Sequence, residues 1–256
     1  MTFKPMKTSD EITSFTKTLL FGHAGFGKTT QAKHMKRVFG KGFILSGEAG
    51  LSSIRSEGID FLPFSSFDGA VDENAGVYSF VHLCRIINSK EFKDADYKWI
   101  MLDSLTELSD MVFDWADAKA AATAAATGKK MNGFEVWSSY RDRMVGACKF
   151  IRDLPYHVVI TALCKIGDDD NGDKQYLPLL QGSAVQAQIP GIFDHVFGGS
   201  QMIVKDDDGK VTSKRCIITA NYGGWLCKVR DEEQVVKPVE ETGDITTILT
   251  KLIAKP

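Results

Sequence analysis

The chain has 256 residues, 43% of them apolar, and a formal net charge of −2. That length and apolar content suit one domain with a full core, no apolar run approaches the roughly 18–20 residues of a membrane span, and the near-zero charge removes a global basic field for nucleic acid. The five cysteines, Cys84, Cys148, Cys164, Cys216 and Cys227, are scattered without a C-x-x-C pair, as expected of free thiols in a reducing, cytoplasmic compartment.

Residues 1–17 are polar and mixed in charge, which reads as a lead-in with a short helix from Asp10 and not as a signal peptide. Thr18-Leu19-Leu20-Phe21 follows as a short apolar strand. Then comes Gly22-His23-Ala24-Gly25-Phe26-Gly27-Lys28-Thr29, a full G-x-x-x-x-G-K-T pattern, with Thr30 after it. Residues 31–38 have helical spacing, with Ala32, Met35, Val38 and Phe39 on one side. Strand, glycine-rich loop and helix together make this a phosphate site. The glycines let successive N–H groups point into one concavity, and the helix N-terminus adds partial positive charge. In that arrangement Lys28 reaches the β- and γ-phosphates of ATP and Thr29 is a ligand for Mg²⁺.

Gly42-Phe43-Ile44-Leu45-Ser46 reads as a second strand, ending at Gly47-Glu48-Ala49-Gly50. A further strand is expected over residues 61–64 and a helix over residues 77–87. Trp99-Ile100-Met101-Leu102-Asp103 is a continuous apolar strand of the kind buried on both faces of a parallel sheet. An Asp at the end of such a strand, downstream of a P-loop, is the Walker B arrangement, so Asp103 holds Mg²⁺ beside Thr29. Asp103 and Ser104 also stand where a helix cap is needed before Leu105, and both roles are compatible.

ATPases of the AAA+ type usually carry Glu directly after the Walker B Asp, where this chain has Ser104. Ligands of a doubly wound sheet sit at the carboxyl ends of its strands, so Glu48 is the candidate to orient the attacking water, with Glu107 as the fallback.

The next region is helical, with Leu105, Leu108, Val112 and Trp115 sharing a face and an alanine-rich run over residues 116–127. Gly128-Lys129-Lys130-Met131-Asn132-Gly133 breaks it. A second helix is expected to bury Phe134, Trp137, Met144, Cys148 and Ile151 and to end before Pro155. Val158-Val159-Ile160-Thr161-Ala162 is another buried strand. Short strands follow at residues 177–180, 196–197, 202–204, 216–219 and 226–229. Gly167-Asp168-Asp169-Asp170-Asn171-Gly172-Asp173 and Asp206-Asp207-Asp208-Gly209 read as hairpin tips. A last helix is expected over residues 245–253. The order implies an α/β fold: a mostly parallel sheet flanked by helices, with antiparallel hairpins added at the C-terminal edge. Residues 1–256 form a single domain, with residues 231–256 as a C-terminal tail and helix.

Lys41-Gly42-Phe43-Ile44-Leu45-Ser46-Gly47-Glu48 followed by Trp99-Ile100-Met101-Leu102-Asp103-Ser104 resembles the RecA-like P-loop ATPase core. That family places its catalytic glutamate after the second strand and has Asp-Ser at Walker B. Within it, the chain is most similar to phage-encoded RecA-like ATPases described as single-strand annealing proteins of the Sak type. The similarity is carried by residues 22–30, 47–51, 102–107, Val159-Ile160-Thr161-Ala162 and Ile189-Pro190-Gly191-Ile192-Phe193-Asp194, within residues 18–230.

This resemblance implies an oligomeric Mg-ATPase, ring or filament, that acts on single-stranded DNA in recombination or annealing, with a single-strand DNA-binding protein as a possible partner, in the cytoplasm of a bacterial host. It puts a γ-phosphate sensor at the end of the strand of residues 158–162, where RecA has glutamine and this chain offers Thr161 or Lys165. In the related clock-protein ATPases a K-x-R pair reaches the nucleotide of a neighbouring subunit; Lys228 and Arg230 match it. On a strand those two share one face, and they also fit a solvated edge that discourages strand pairing. DNA-contacting loops of the family would fall near Lys129 and Lys130, which equally suit a solvated helix end, and over residues 165–188, where the aspartates would repel phosphate. Two other functions fit the P-loop: a recruiter that uses ATP to order its oligomer, and a small-molecule kinase, although no arginine-rich lid stands near residues 165–174.

Overall fold

The strands form because their residues can be buried on both faces. β1 (Lys17–Gly22), β2 (Gly42–Ser46) and β4 (Trp99–Asp103) are buried at every position, which only a sheet covered on both sides allows. The structure is a computed structural model that describes residues 15–48, 50–169, 171–205 and 211–254. Outside them lie the helix expected from Asp10, Ala49, Asp170, the turn Asp206-Asp207-Asp208-Gly209 and the end of the tail.

The chain runs β1, α1 (Gln31–Phe39), β2, a 3₁₀ turn (Gly50–Glu57), β3 (Asp60–Pro63), α2 (Phe80–Asn88), α3 (Lys90–Asp94) and β4. It continues through α4 (Leu105–Thr127), α5 (Gly133–Arg152), β5 (His157–Asp168), β6 (Lys174–Pro178), α6 (Ser183–Gln188) and a 3₁₀ turn (Ile189–Ile192). It closes with β7 (His195–Lys205), β8 (Val211–Ile218), β9 (Val239–Glu240) and α7 (Thr246–Ile253). Among the described residues the strands make one sheet in the order β3-β2-β4-β5-β1-β7-β8-β9, with β6 paired to β5 alone. From β3 to β7 all pairs are parallel. β8 and β9 add antiparallel strands at the C-terminal edge. The α/β architecture expected from the element order is therefore the one observed.

Alternation along the strands sorts the core into two layers. Leu19, Phe21, Leu45 and Leu102 pack with α2, α4 and α5 through Leu83, Leu105, Leu108, Tyr140, Met144 and Cys148. Leu20, Ile44, Met101 and Val159 face α1 and α7 through Met35, Ile248 and Leu249. β5 leaves the main sheet after residue 163, and its outer half pairs antiparallel with β6. The result is a hairpin arm on the same edge of the sheet as the loop after β1.

Several expectations need correction. Lys17 is not lead-in but the first residue of β1, where its buried ammonium donates to the carbonyls of Leu154 and Tyr156. The helix expected over residues 77–87 begins only at Phe80, because Ser79 caps it by accepting from the His82 amide. On α1, Val38 points to solvent and Gln31 is buried instead. On α5, Phe134 and Trp137 are 80% and 45% exposed, and the buried stripe runs through Val136, Tyr140, Met144, Ala147, Cys148 and Ile151. Residues 196–197 and 202–204 belong to one long strand, β7. Residues 226–229 make only an isolated bridge, Val196 with Lys228.

Candidate phosphate-binding site

β1, β2 and β4 end at one edge of the sheet, where β5 and β7 run on past them. In register, Gly22 lies beside Leu163 and Gly199, and Ser46 lies beside Asp103. The loop after β1 therefore stands next to Glu48, Asp103 and Thr161.

Positive φ angles at Gly25 (79°) and Gly27 (97°) bend the loop as glycine alone readily permits. His23, Ala24 and Gly25 are exposed, but Phe26 is buried. Its ring lies where a side chain on Gly199 would be: a Cβ there would come within 2.5 Å of it. Burying that phenyl ring contributes about 1.5–3 kcal/mol and pins the loop to β7. The amides of Gly25, Gly27, Lys28, Thr29 and Thr30 have no acceptor among the described residues. Free N–H groups gathered at a helix N-terminus are an anion site.

Lys28 is buried and donates to the carbonyls of Gly22 and His23, both at 3.1 Å. Burial lowers its pKa, and the charges of Glu48 and Asp103 oppose that shift. Thr29 Oγ1 donates to Asp103 Oδ2 at 2.6 Å. Thr161 Oγ1 donates to Asp103 Oδ1 at 2.5 Å and to the Leu102 carbonyl at 3.3 Å. The hydroxyl expected at a sensor position is thus directed at the Walker B carboxylate. Lys165 lies further out, exposed on the hairpin arm opposite Leu177. The helix cap expected of Asp103 and Ser104 falls to Ser104, which accepts from the Glu107 amide at 3.4 Å. Asp103 is left to face Thr29.

The Glu48 main chain is held on both sides. Its N–H donates to the Asp103 carbonyl at 3.3 Å, and its carbonyl accepts from Ser46 Oγ at 2.7 Å. A Cβ built on Gly50 would lie 3.8 Å from Thr29 Oγ1 and 3.9 Å from Glu48 Oε2, so both oxygens reach one point. Glu107 is adjacent: a Cβ on Gly47 would meet its Cβ at 3.3 Å. Burial, then the charges of Glu48 and Asp110, raise the Glu107 pKa. The two candidate glutamates therefore occupy the same corner.

Thr29 and Asp103 present hard oxygen ligands at one place. Mg²⁺ is held in this way by one or two protein oxygens, with phosphate and water completing its shell, so the residues present fit that ion.

Other candidates lie elsewhere. Lys228 donates to the Gly191 carbonyl at 3.4 Å, and Arg230 pairs with Asp194 at 3.2 Å. Burial, then the nearby Arg230 charge, lowers the Lys228 pKa. Since Val196 bridges Lys228 and His195 lies beside Thr18, the pair stands at the amino end of β1, opposite its own phosphate loop. Lys129 and Lys130 are exposed in the turn between α4 and α5.

Sequence reasoning missed three residues here. Gln31 is fully buried and joins the loop to the C-terminal segment: its Nε2 donates to the carbonyls of Gly27 and Gly243, and its Oε1 accepts from the Ile245 amide, each at 2.9 Å. A fully buried glutamine at a helix start has no signature beyond its polarity. Ser46 and Arg215 also reach the site, through contacts that only the folded chain makes.

A family model described as "AAA domain" matches residues 14–230. No curated protein matches the chain. Among solved structures, the X-ray structure of the Legionella pneumophila ATPase DotB matches 98% of this chain and 56% of that chain, at 12% identity and a TM-score of 0.30. This chain thus spans little more than half the length of that protein. No helix among the described residues is long and apolar enough to cross a membrane.

Proposed function

We propose that this chain, which belongs to the AAA-domain family over residues 14–230 and is a P-loop ATPase domain, hydrolyses ATP with Mg²⁺ in an oligomer that acts on single-stranded DNA during recombination or annealing. The observation that carries the reading is the junction of Thr29 and Asp103 at 2.6 Å, beside the buried Lys28 and a loop of free amides. In the proposed reaction the amides and Lys28 offset the charge that develops on the phosphates. Mg²⁺, held by Thr29 and Asp103, would supply further charge neutralisation. Glu48 orients the attacking water. Lys228 and Arg230 complete the site of a neighbouring subunit, since they stand away from their own. The kinship with phage annealing proteins of RecA-like build rests on the motifs of the chain.

The DNA reading is supported by the turn between α4 and α5. Lys129 and Lys130 are exposed there, and the exposed rings of Phe134 and Trp137 follow on α5. Cations with accessible aromatic rings are what single strands bind through phosphate pairing and base stacking. One observation favours a second reading. The tip of the hairpin arm carries Asp168, Asp169 and Asp173, which repel a nucleic-acid backbone and suit a basic protein partner, as in an ATP-dependent recruiter or loader. ATP turnover measured with and without single-stranded DNA separates the two. Stimulation that is lost in Lys129→Ala/Lys130→Ala supports the DNA role. Turnover unaffected by DNA, together with no detectable DNA binding, sinks it and leaves the recruiter.

A further inference from the structure

Arg215 is a second cation at the phosphate loop, and nothing in the site described so far uses it. It lies on β8, opposite Gln201 of β7. Residues 213, 215 and 217 alternate onto one face of the sheet, and Ile217 packs into the core layer that holds Phe26. That face therefore runs from the core out past the loop. A Cβ built on Gly27 would lie 3.0 Å from Arg215 Nη1, 3.3 Å from its Cζ and 3.5 Å from Thr30 Oγ1. The guanidinium and the Thr30 hydroxyl thus flank the same point of the loop.

The stem of Arg215 is held at the other end. A Cβ on Gly243 would meet its Cδ at 2.9 Å and its Cβ at 3.0 Å. Gly243 is itself tied to the loop through Gln31. The guanidinium, although exposed, makes no hydrogen bond or ion pair with any described residue. Asp244, which follows Gly243, is engaged by Arg37 and His34. A positioned guanidinium with free donors beside unpaired amides is built for a phosphate oxygen.

Its place also says which phosphate. Lys28 turns back toward Gly22 and His23, and its neighbour Thr29 meets Asp103 and lies by Glu48. That is the end at which a P-loop lysine meets the β- and γ-phosphates. Arg215 stands on the other flank, by Gly27 and Thr30. We propose that Arg215 binds the α-phosphate of the nucleotide in cis. The nucleoside then lies along the β7–β8 face, where Ser213 Oγ donates to Gln201 Oε1 at 3.2 Å. This rests on the reading of the loop as a nucleotide site.

The test is calorimetric binding of Mg-ADP and of a non-hydrolysable ATP analogue to the full chain, wild type, Arg215→Ala and Arg215→Lys. Loss of a charge-assisted contact predicts affinities for both ligands about 10- to 100-fold weaker in Arg215→Ala, by the same factor. Arg215→Lys, which keeps the charge and loses the fork, falls between. The melting temperature without nucleotide stays at the wild-type value in both variants. Unchanged affinity for ADP in either variant overturns the proposal. So does a loss confined to the ATP analogue, which would put Arg215 at the γ end. Wild-type protein that binds neither ligand contradicts the nucleotide reading itself, a result visible before any variant is compared.

Discussion

Glu48 and Glu107 approach the same corner from different elements, and only one can be the group that orients water. Glu48 follows β2 at the carboxyl edge, with its main chain fastened to Asp103 and Ser46. Glu107 sits in the first turn of α4, with its amide spent on the Ser104 cap. The strand-end position points to Glu48. Glu48→Gln should bind ATP as the wild type does and lose turnover by about 10²-fold or more, the scale of a missing general base. Glu107→Gln should keep most of its turnover. The reverse pattern in steady-state rates would move the water to α4. At this scale the sequence was legible where the chemistry is local. The loop pattern, Asp103 and the strand-end glutamate are contiguous signals. Thr161 was legible as a position but not in its orientation, because its hydroxyl meets a carboxylate 58 residues away in the chain.

Among the elements, β7 sets the shape of the loop. Gly198 and Gly199 fall between the short strands expected at residues 196–197 and 202–204, yet they lie inside one strand and let larger groups approach: a Cβ on Gly198 would meet the Trp225 ring at 2.3 Å, and one on Gly199 the Phe26 ring at 2.5 Å. Gly199→Ala should therefore push Phe26 out of its seat. We expect a destabilisation of about 1–3 kcal/mol, the usual cost of overpacking, and weaker ADP binding, since the loop amides lose their anchor. Chemical denaturation and ADP titration together check this, and a variant with wild-type stability and affinity would show that Phe26 does not hold the loop. The expected stripe on α5 was misplaced for a related reason. Helical spacing fits Phe134 and Trp137 as well as it fits Val136 and Tyr140. What selects the second set is the position of α4, where Ser109 Oγ meets Tyr140 Oη at 2.7 Å, and no local pattern records that.

For the molecule as a whole, the continuous apolar strands made the parallel sheet legible, while its edges were less so. Residues 226–229 are not a strand because they pair with the sheet at a single bridge. Lys228 and Arg230 end up at the amino end of β1, away from their own loop, and in the proposed oligomer they would serve a neighbour's nucleotide. A cation supplied in trans can raise phosphoryl transfer by roughly 10³-fold or more. Arg230→Ala should bind ATP normally and turn over slowly. Mixed with Lys28→Ala in an assembly shown to contain both, it should recover activity that neither variant has alone, because some interfaces then join an intact loop to an intact Arg230. A mixture as inactive as its parts would leave the pair as a solvated edge. All of this presupposes hydrolysis at the loop after β1, and the rate of ATP hydrolysis by Lys28→Ala, measured beside the wild type, tests that most directly. We expect a folded variant with its turnover abolished, since among the described residues this ammonium hydrogen-bonds loop carbonyls and no core side chain; turnover equal to the wild type would rule out hydrolysis at this loop.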